Sequence, residues 1–188
     1  MAETVSTQRK KIHPHKFTLW VGIGSIVMMF AGLTSAYIVK SNQAEWTSVV
    51  IPKIFYYSTG VMLVSSLTIQ MALKAFKERS MHQYRRLITV TAILGIGFIA
   101  MQVTGFMQLM QSGVRLEGAG AQAFLYIIFG LHALHVLGGA LALLIMLIRA
   151  FSARIRNYNP VPVEVAATYW HFVDLLWVYL FIFFLLKV

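Results

Sequence analysis

The sequence predicts an all-α integral membrane protein with five transmembrane helices, and three observations lead to that fold class. Of the 188 residues, 59% are hydrophobic and 12% are charged, with a mean hydropathy of +0.72, which is too apolar for a soluble domain of this size. The apolar residues form five long runs separated by short polar segments. The runs are apolar on all sides, and within lipid a helix is the structure that satisfies its own backbone hydrogen bonds.

The first run follows a polar, basic tail and is 23 residues long, which matches the ~20 residues that cross a bilayer and exceeds a signal-peptide core. We interpret it as a retained first span. Four further runs follow, so that one transmembrane domain covers residues 17–188 after a cytoplasmic tail at 1–16. The predicted spans lie at about 17–39, 54–76, 87–110, 124–148 and 165–187.

The basic residues are distributed unevenly between the two sides of the predicted membrane. Twelve of the sixteen Lys and Arg lie in the tail and in the segments after the second and fourth spans. This bias predicts a cytoplasmic N-terminus and an external C-terminus. It also accounts for the net charge of +10, so we expect no nucleic-acid partner. The absence of cysteine excludes disulfides, thiolate-bound zinc and copper, and iron–sulfur clusters.

Four ionisable side chains fall deep within the predicted spans: His132 and His135 in the fourth, and His171 and Asp174 in the fifth. Residues three apart share one face of a helix. A carboxylate facing hydrocarbon is costly, so Asp174 must face protein or water. We expect all four to be structural polar residues that form buried interhelical hydrogen bonds, with no catalytic, cofactor-binding or metal-binding role.

Two other interpretations of these residues are a haem-binding membrane cytochrome and a small transporter or channel. His135 lies ~21 Å from the cytoplasmic end of its span and His171 ~9 Å from that end, and this offset disfavours a haem shared between the two helices. His132 and His135 cannot reach opposite sides of one ring. A transporter needs a series of polar groups across the bilayer, and the spans show no continuous series.

Two sequence motifs carry a family resemblance. The fifth span opens with Glu164, Ala166-Ala167 and Tyr169-Trp170-His171-Phe172-Val173-Asp174, followed by Trp177, and the fourth contains Gly130-Leu131-His132-Ala133-Leu134-His135-Val136. They resemble the last and penultimate helices of subunit III of the haem–copper terminal oxidases, in its short five-helix form. Weaker matches run through Phe30-Ala31-Gly32 to Tyr37, Ser65-Ser66, and Leu94-Gly95 with Phe98 and Gln102.

The resemblance implies a subunit III-like bundle acting as a cofactor-free accessory subunit of a proton-pumping oxidase in the bacterial inner membrane. Haem and copper would reside in partner subunits I and II. The chain would stabilise the catalytic subunit, bind phospholipid and support proton uptake, with cytochrome c favoured over quinol as electron donor and a larger respiratory supercomplex as a further partner. We expect lipid or interface contacts at Trp20, Arg85, Arg86, Trp170 and Trp177.

The chain departs from the family pattern at two intramembrane carboxylates. The positions of these carboxylates are occupied by Ile26 and Gly105, neither of which can hold a proton. The five predicted spans also compare with seven in the longer family members, whose two extra N-terminal helices form a lipid-filled cleft.

Overall fold

The computed structural model describes residues 14–41, 52–111, 120–152 and 159–187, and these form five helices joined by short connections. Each helix contains 24 to 32 residues and is therefore about 36 to 48 Å long, enough to cross a ~30 Å hydrocarbon core. All five are also apolar enough to do so, which confirms the predicted fold class. The helices are α1 (Pro14–Ser41), α2 (Ile54–Lys77), α3 (Met81–Gln111), α4 (Gly120–Phe151) and α5 (Val161–Lys187).

The helices extend beyond the apolar runs at several ends. α3 begins at Met81, six residues before the predicted third span, and α5 begins at Val161 rather than 165. The reason is that hydropathy marks where lipid begins, whereas the backbone hydrogen-bond ladder continues into the polar interface. Most of the predicted tail and the segments 42–51, 112–119 and 153–158 lie outside the described residues.

A tight turn joins α2 to α3. The amide of Ser80 donates to the carbonyl of Ala75 and that of Arg79 donates to Phe76, which is the hydrogen-bond pattern of a Schellman motif. The residue that normally occupies the left-handed position of this motif is glycine, but here it is Arg79, with a φ of 59°. The turn therefore closes the antiparallel α2–α3 hairpin with a strained backbone at one residue.

Helices α2, α3, α4 and α5 form a ring in which each packs against the next, and α5 returns to α2. α1 lies outside this ring against α4 and α5, and within the described ranges its backbone does not approach α2 or α3. One apolar cluster fills the ring around Trp170 and Trp177. A second cluster joins α1 to the ring around Phe30, Tyr37 and Leu180.

Candidate functional site

Side chains of the motif at the start of α5 form hydrogen bonds with side chains of α2. The indole N–H of Trp170 donates to Ser65 Oγ at 3.0 Å, and the N–H of Trp177 donates to Thr59 Oγ1 at 3.0 Å. Both hydrogen bonds pair a large α5 side chain with a small hydroxyl of α2. In lipid they satisfy groups that water cannot reach, so they fix the rotation of α5 against α2.

His171 extends this contact toward the surface of the bundle. Its Nε2 lies 3.1 Å from Gln70 Oε1 and its Nδ1 lies 2.6 Å from Ser66 Oγ. Because an amide oxygen only accepts, Nε2 donates, and a neutral ring then accepts the Ser66 hydroxyl proton at Nδ1. His171 therefore joins α5 to α2 by two hydrogen bonds, and its structural role stays a prediction. Ser66 was recognisable as a hydrogen-bonding residue, and Gln70, four residues further on the same face of α2, is the partner that sequence reasoning missed.

Trp170 and Trp177 are core residues, which corrects the expectation that they contact lipid or an interface. Their exposed fractions are 0% and 1%. Trp170 fits between two glycines: an ideal Cβ at Gly95 would lie 3.1 Å from its ring, and one at Gly139 would lie 3.0 Å away. The indole is thus enclosed between α3 and α4 and does not face the lipid.

The remaining three predicted contact residues are on the surface. Trp20 is 63% exposed, and Arg85 and Arg86 are both exposed at the start of α3. Arg85 Nε donates to the carbonyl of Ala150 at 2.7 Å, so this arginine satisfies an unpaired carbonyl at the C-terminal end of α4. The lipid contacts of these residues stay a prediction.

His132 and His135 do not act as a pair, although they lie three residues apart. The His132 ring stacks on Trp177, with ring centroids 5.2 Å apart, and is 2% exposed. The His135 ring contacts Phe30 of α1 edge-on, and its Nδ1 bonds the Leu131 carbonyl of its own helix at 2.7 Å. One face of α4 thus contacts both α5, through His132, and α1, through His135. The expected interhelical hydrogen bonds of the two rings are not found among the described residues.

Asp174 is buried against α2, with 2% of its surface exposed. The Ser66 side chain interacts with its carboxyl group, but neither carboxyl oxygen has a partner at hydrogen-bonding geometry among the described residues. The two nitrogens of His132 are in the same situation. Buried polar groups are normally paired, so these two side chains depart from the usual pattern within the described residues. Their structural role stays a prediction.

Glu164 joins three helices at one end of the bundle. Its carboxylate contacts Lys16 of α1 at 2.5 Å and Lys77 of α2 at 2.7 Å, and 20% of the side chain is exposed. Because the backbones of α1 and α2 do not approach each other within the described ranges, these ion pairs bridge the two helices across α5. The sequence motif contained Glu164 but gave no indication of its two partners.

Gly105 and Ile26, which occupy the positions of the two missing family carboxylates, differ from each other in how closely they are packed. A Cβ added at Gly105 would lie 2.8 Å from Ile54 Cγ2 and 2.9 Å from the Phe55 ring, so a larger side chain at this position requires these two α2 side chains to shift. Ile26 is half-buried and lines a groove of about 690 Å³ between α1, α4 and α5. Within the described ranges, no three His, Asp or Glu side chains are grouped so as to hold a metal ion.

These features define a multi-pass membrane protein whose intramembrane polar side chains mainly join its own helices. The family model described as cytochrome c oxidase subunit III matches residues 15–187, and this chain therefore belongs to the cytochrome c oxidase subunit III family. It is 30% identical over 183 residues to a probable cytochrome c oxidase subunit 3 of Nocardia farcinica, covering 92% of this chain and 90% of the relative. A cytochrome c oxidase subunit 3 of a Bacillus species is 27% identical over 166 residues, covering 86% of this chain and 80% of the relative.

The family assignment confirms that the chain is an accessory subunit III of a haem–copper oxidase. It also confirms the resemblance drawn from the motifs of the fourth and fifth spans. As an oxidase subunit, the chain belongs to a complex with other subunits.

Proposed function

We propose that this chain is a cofactor-free, non-catalytic subunit III that supports the catalytic subunit I, next to subunit II, of a proton-pumping cytochrome c oxidase in the bacterial inner membrane. The observation that supports this most directly is the use of the α5 motif. Trp170, His171 and Trp177 all bond α2 side chains and thereby order the bundle. Residues committed to packing in this way give the catalytic subunit a rigid neighbour.

We propose that the N-terminus lies in the cytoplasm. The basic ends of the helices are joined by contacts at one end of the bundle: Lys16 and Lys77 through Glu164, and Arg85 through the end of α4. These described basic residues are thus gathered on one side, which is the arrangement that the positive-inside rule associates with the cytoplasm.

We also propose that the subunit binds phospholipid, and the groove beside Ile26 supports this. It is lined by apolar side chains of α1, α4 and α5, including Leu19, Ile23 and Val165, and its volume suits acyl chains. Lys16 and Lys77 together carry one more charge than the Glu164 carboxylate that binds them, so the end of the groove near Thr18 has a net positive charge that favours an anionic headgroup.

Support of proton uptake would be indirect in this chain. Neither Ile26 nor Gly105 offers a carboxylate, and Gly105 has no room for one. We therefore propose that the subunit sustains turnover by holding the catalytic subunit in its active conformation.

The experiment is to purify an affinity-tagged form of the chain from its native membranes and record optical spectra and oxygen consumption. The tagged chain should elute with haem-bearing subunits, whereas the chain isolated from them should show no haem absorption. Oxidase lacking the chain should begin at the normal rate and lose activity during turnover faster than the intact complex. Stoichiometric haem in the isolated chain, or elution without any haem-bearing subunit, would contradict the proposal.

A further inference from the structure

A series of polar side chains leads from the surface of the bundle to Asp174. Gln70 of α2 is exposed, Ser66 and His171 are half-buried, and Asp174 is buried. His171 Nε2 lies 3.1 Å from Gln70 Oε1, and its Nδ1 lies 2.6 Å from Ser66 Oγ. The same Ser66 side chain interacts with the carboxyl group of Asp174. We call these four side chains, Gln70, His171, Ser66 and Asp174, the Asp174 network.

The outer end of the Asp174 network is within reach of the polar interface. Lys74 follows Gln70 by about one helical turn, and 79% of its side chain is exposed. Asp174 lies about 15 Å beyond Glu164 along α5, at the inner end of the network. The network therefore connects the interface on one side with a buried carboxyl group, and it does not continue across the membrane.

The hydrogen bonds of the Asp174 network run in one direction. Nε2 of a neutral His171 donates to the amide oxygen of Gln70, so Nδ1 accepts the hydroxyl proton of Ser66. Ser66 then has no second proton to donate to Asp174. An ionised carboxylate only accepts, and neither carboxyl oxygen has a hydrogen bond among the described residues. A protonated carboxyl group can donate instead, and Ser66 Oγ, which keeps an unused lone pair, is the acceptor beside it.

Charged groups do not stabilise an ionised Asp174 either. α5 packs against α1, α2 and α4, and α2 presents the uncharged Ser66 to the carboxyl group. The histidines of α4, His132 and His135, contact aromatic rings of α5 and α1, and the lysines that pair across the bundle end bind Glu164. Within the described ranges, Asp174 forms no ion pair. A carboxyl group buried without a cation or a donor becomes neutral by keeping its proton.

We propose that Asp174 is a proton-holding site, a neutral carboxylic acid that exchanges its proton with the interface near Lys74 through Ser66 and His171. In the release direction, the carboxyl proton passes to Ser66 Oγ, the hydroxyl proton passes to His171 Nδ1, and the Nε2 proton leaves to water at the interface. One proton has then left, and Asp174 is a carboxylate that accepts from Ser66. The Gln70 amide turns so that its NH₂ group donates to Nε2, and uptake is the reverse. The inference does not depend on the proposed function, because it concerns groups of this chain alone.

The protonation of Asp174 can be measured directly, because this is the only aspartate in the sequence. The full-length chain is prepared with aspartate that carries ¹³C in its side-chain carboxyl group and is reconstituted in phospholipid bilayers at neutral pH. An infrared difference spectrum against the unlabelled chain then reports one carboxyl group. We expect the C=O band of a carboxylic acid from the folded chain and a carboxylate band after unfolding in sodium dodecyl sulfate. A carboxylate band from the folded chain, or the same acid band after unfolding, would overturn the proposal.

The exchange route is tested by transferring the labelled chain to D₂O, which lowers the wavenumber of the acid band as deuterium replaces the proton. Ser66→Ala removes the link to His171, and Ser65→Ala is the matched control because Ser65 bonds Trp170 instead. A positioned proton-transfer group typically contributes ~10²-fold or more, so we expect Ser66→Ala to slow the shift at least about tenfold. Ser65→Ala should exchange as the unmodified chain does. Equal rates in Ser66→Ala and the unmodified chain, equal slowing by Ser65→Ala, or no shift at all would refute the route.

Discussion

The glycine pair around Trp170 provides the sharpest test of the packing. Gly95 of α3 and Gly139 of α4 face the indole from two sides. A Cβ added at Gly139 would lie 3.0 and 3.2 Å from Cε3 and Cζ3, and one added at Gly95 would lie 3.1 and 3.2 Å from Cη2 and Cζ2. Each alanine substitution alone lets the ring shift by a few tenths of an ångström. The double substitution blocks movement of the ring toward either glycine.

The expected magnitudes follow from two opposing effects. Overpacking costs about 1–3 kcal/mol, whereas alanine stabilises a helix interior by about 1 kcal/mol relative to glycine. Each single variant should therefore be destabilised by roughly 0–2 kcal/mol. The double variant should lose more than the two single losses together, with a coupling between about 0.5 and 3 kcal/mol.

Neighbouring glycines supply the control. Gly138→Ala would bring its Cβ no closer than 3.7 Å to the Tyr169 hydroxyl, and Gly97→Ala would meet nothing within 4 Å. Both should be neutral or stabilised by up to about 1 kcal/mol. The assay is unfolding of the purified chain in mixed micelles with increasing sodium dodecyl sulfate, followed by tryptophan fluorescence. If the double variant loses no more than the two single losses together, the indole is not held between Gly95 and Gly139.

Three further predictions follow from the contacts, of which the first two are checked with the same titration and the third by the yield of folded chain after purification. Glu164→Gln should lower the free energy of unfolding by only about 1 kcal/mol, because the ion pairs are partly exposed, and the loss should shrink at high salt; a loss that is independent of salt would contradict an ionic bridge. Arg79→Gly should be more stable than Arg79→Ala by about 1 kcal/mol, because only glycine relieves a φ of 59°, and equal stability of the two variants argues against strain. Gly105→Asp should yield little folded chain because its Cβ would lie 2.8 Å from Ile54, whereas Ile26→Glu at the half-buried groove should be recovered in much better yield; similar yields would refute the packing at Gly105.

The number of helices and the family could be predicted from the sequence, but the faces of the helices could not. Whether a segment spans the membrane depends on its mean hydropathy, which can be calculated from the residue types alone. Which helix packs against which face could be predicted only from a helical period of polar and apolar residues, and uniformly apolar spans show little of that period. Ser65 and Ser66 show the consequence: both are recognisable as hydrogen-bonding residues, but only the structure pairs them with Trp170 and His171.

The same limitation explains the two residues that were assigned to the membrane interface. Tryptophans near the ends of spans are typical of that interface. Trp170 lies near the start of the fifth apolar run, but its ring packs against Gly95 and Gly139 and is 0% exposed. The spacing of His132 and His135 likewise predicts that both lie on one face of α4, but it does not predict that His132 contacts α5 and His135 contacts α1.

The polar side chains within the spans therefore divide into two groups by what surrounds them. Trp170, Trp177, His132 and Asp174 are at least 98% buried by this chain, so a neighbouring subunit cannot reach them. Ser66, Gln70 and His171 are different, because Gln70 is exposed and the other two are half-buried. Their hydrogen bonds therefore join α2 to α5 at the surface of the bundle.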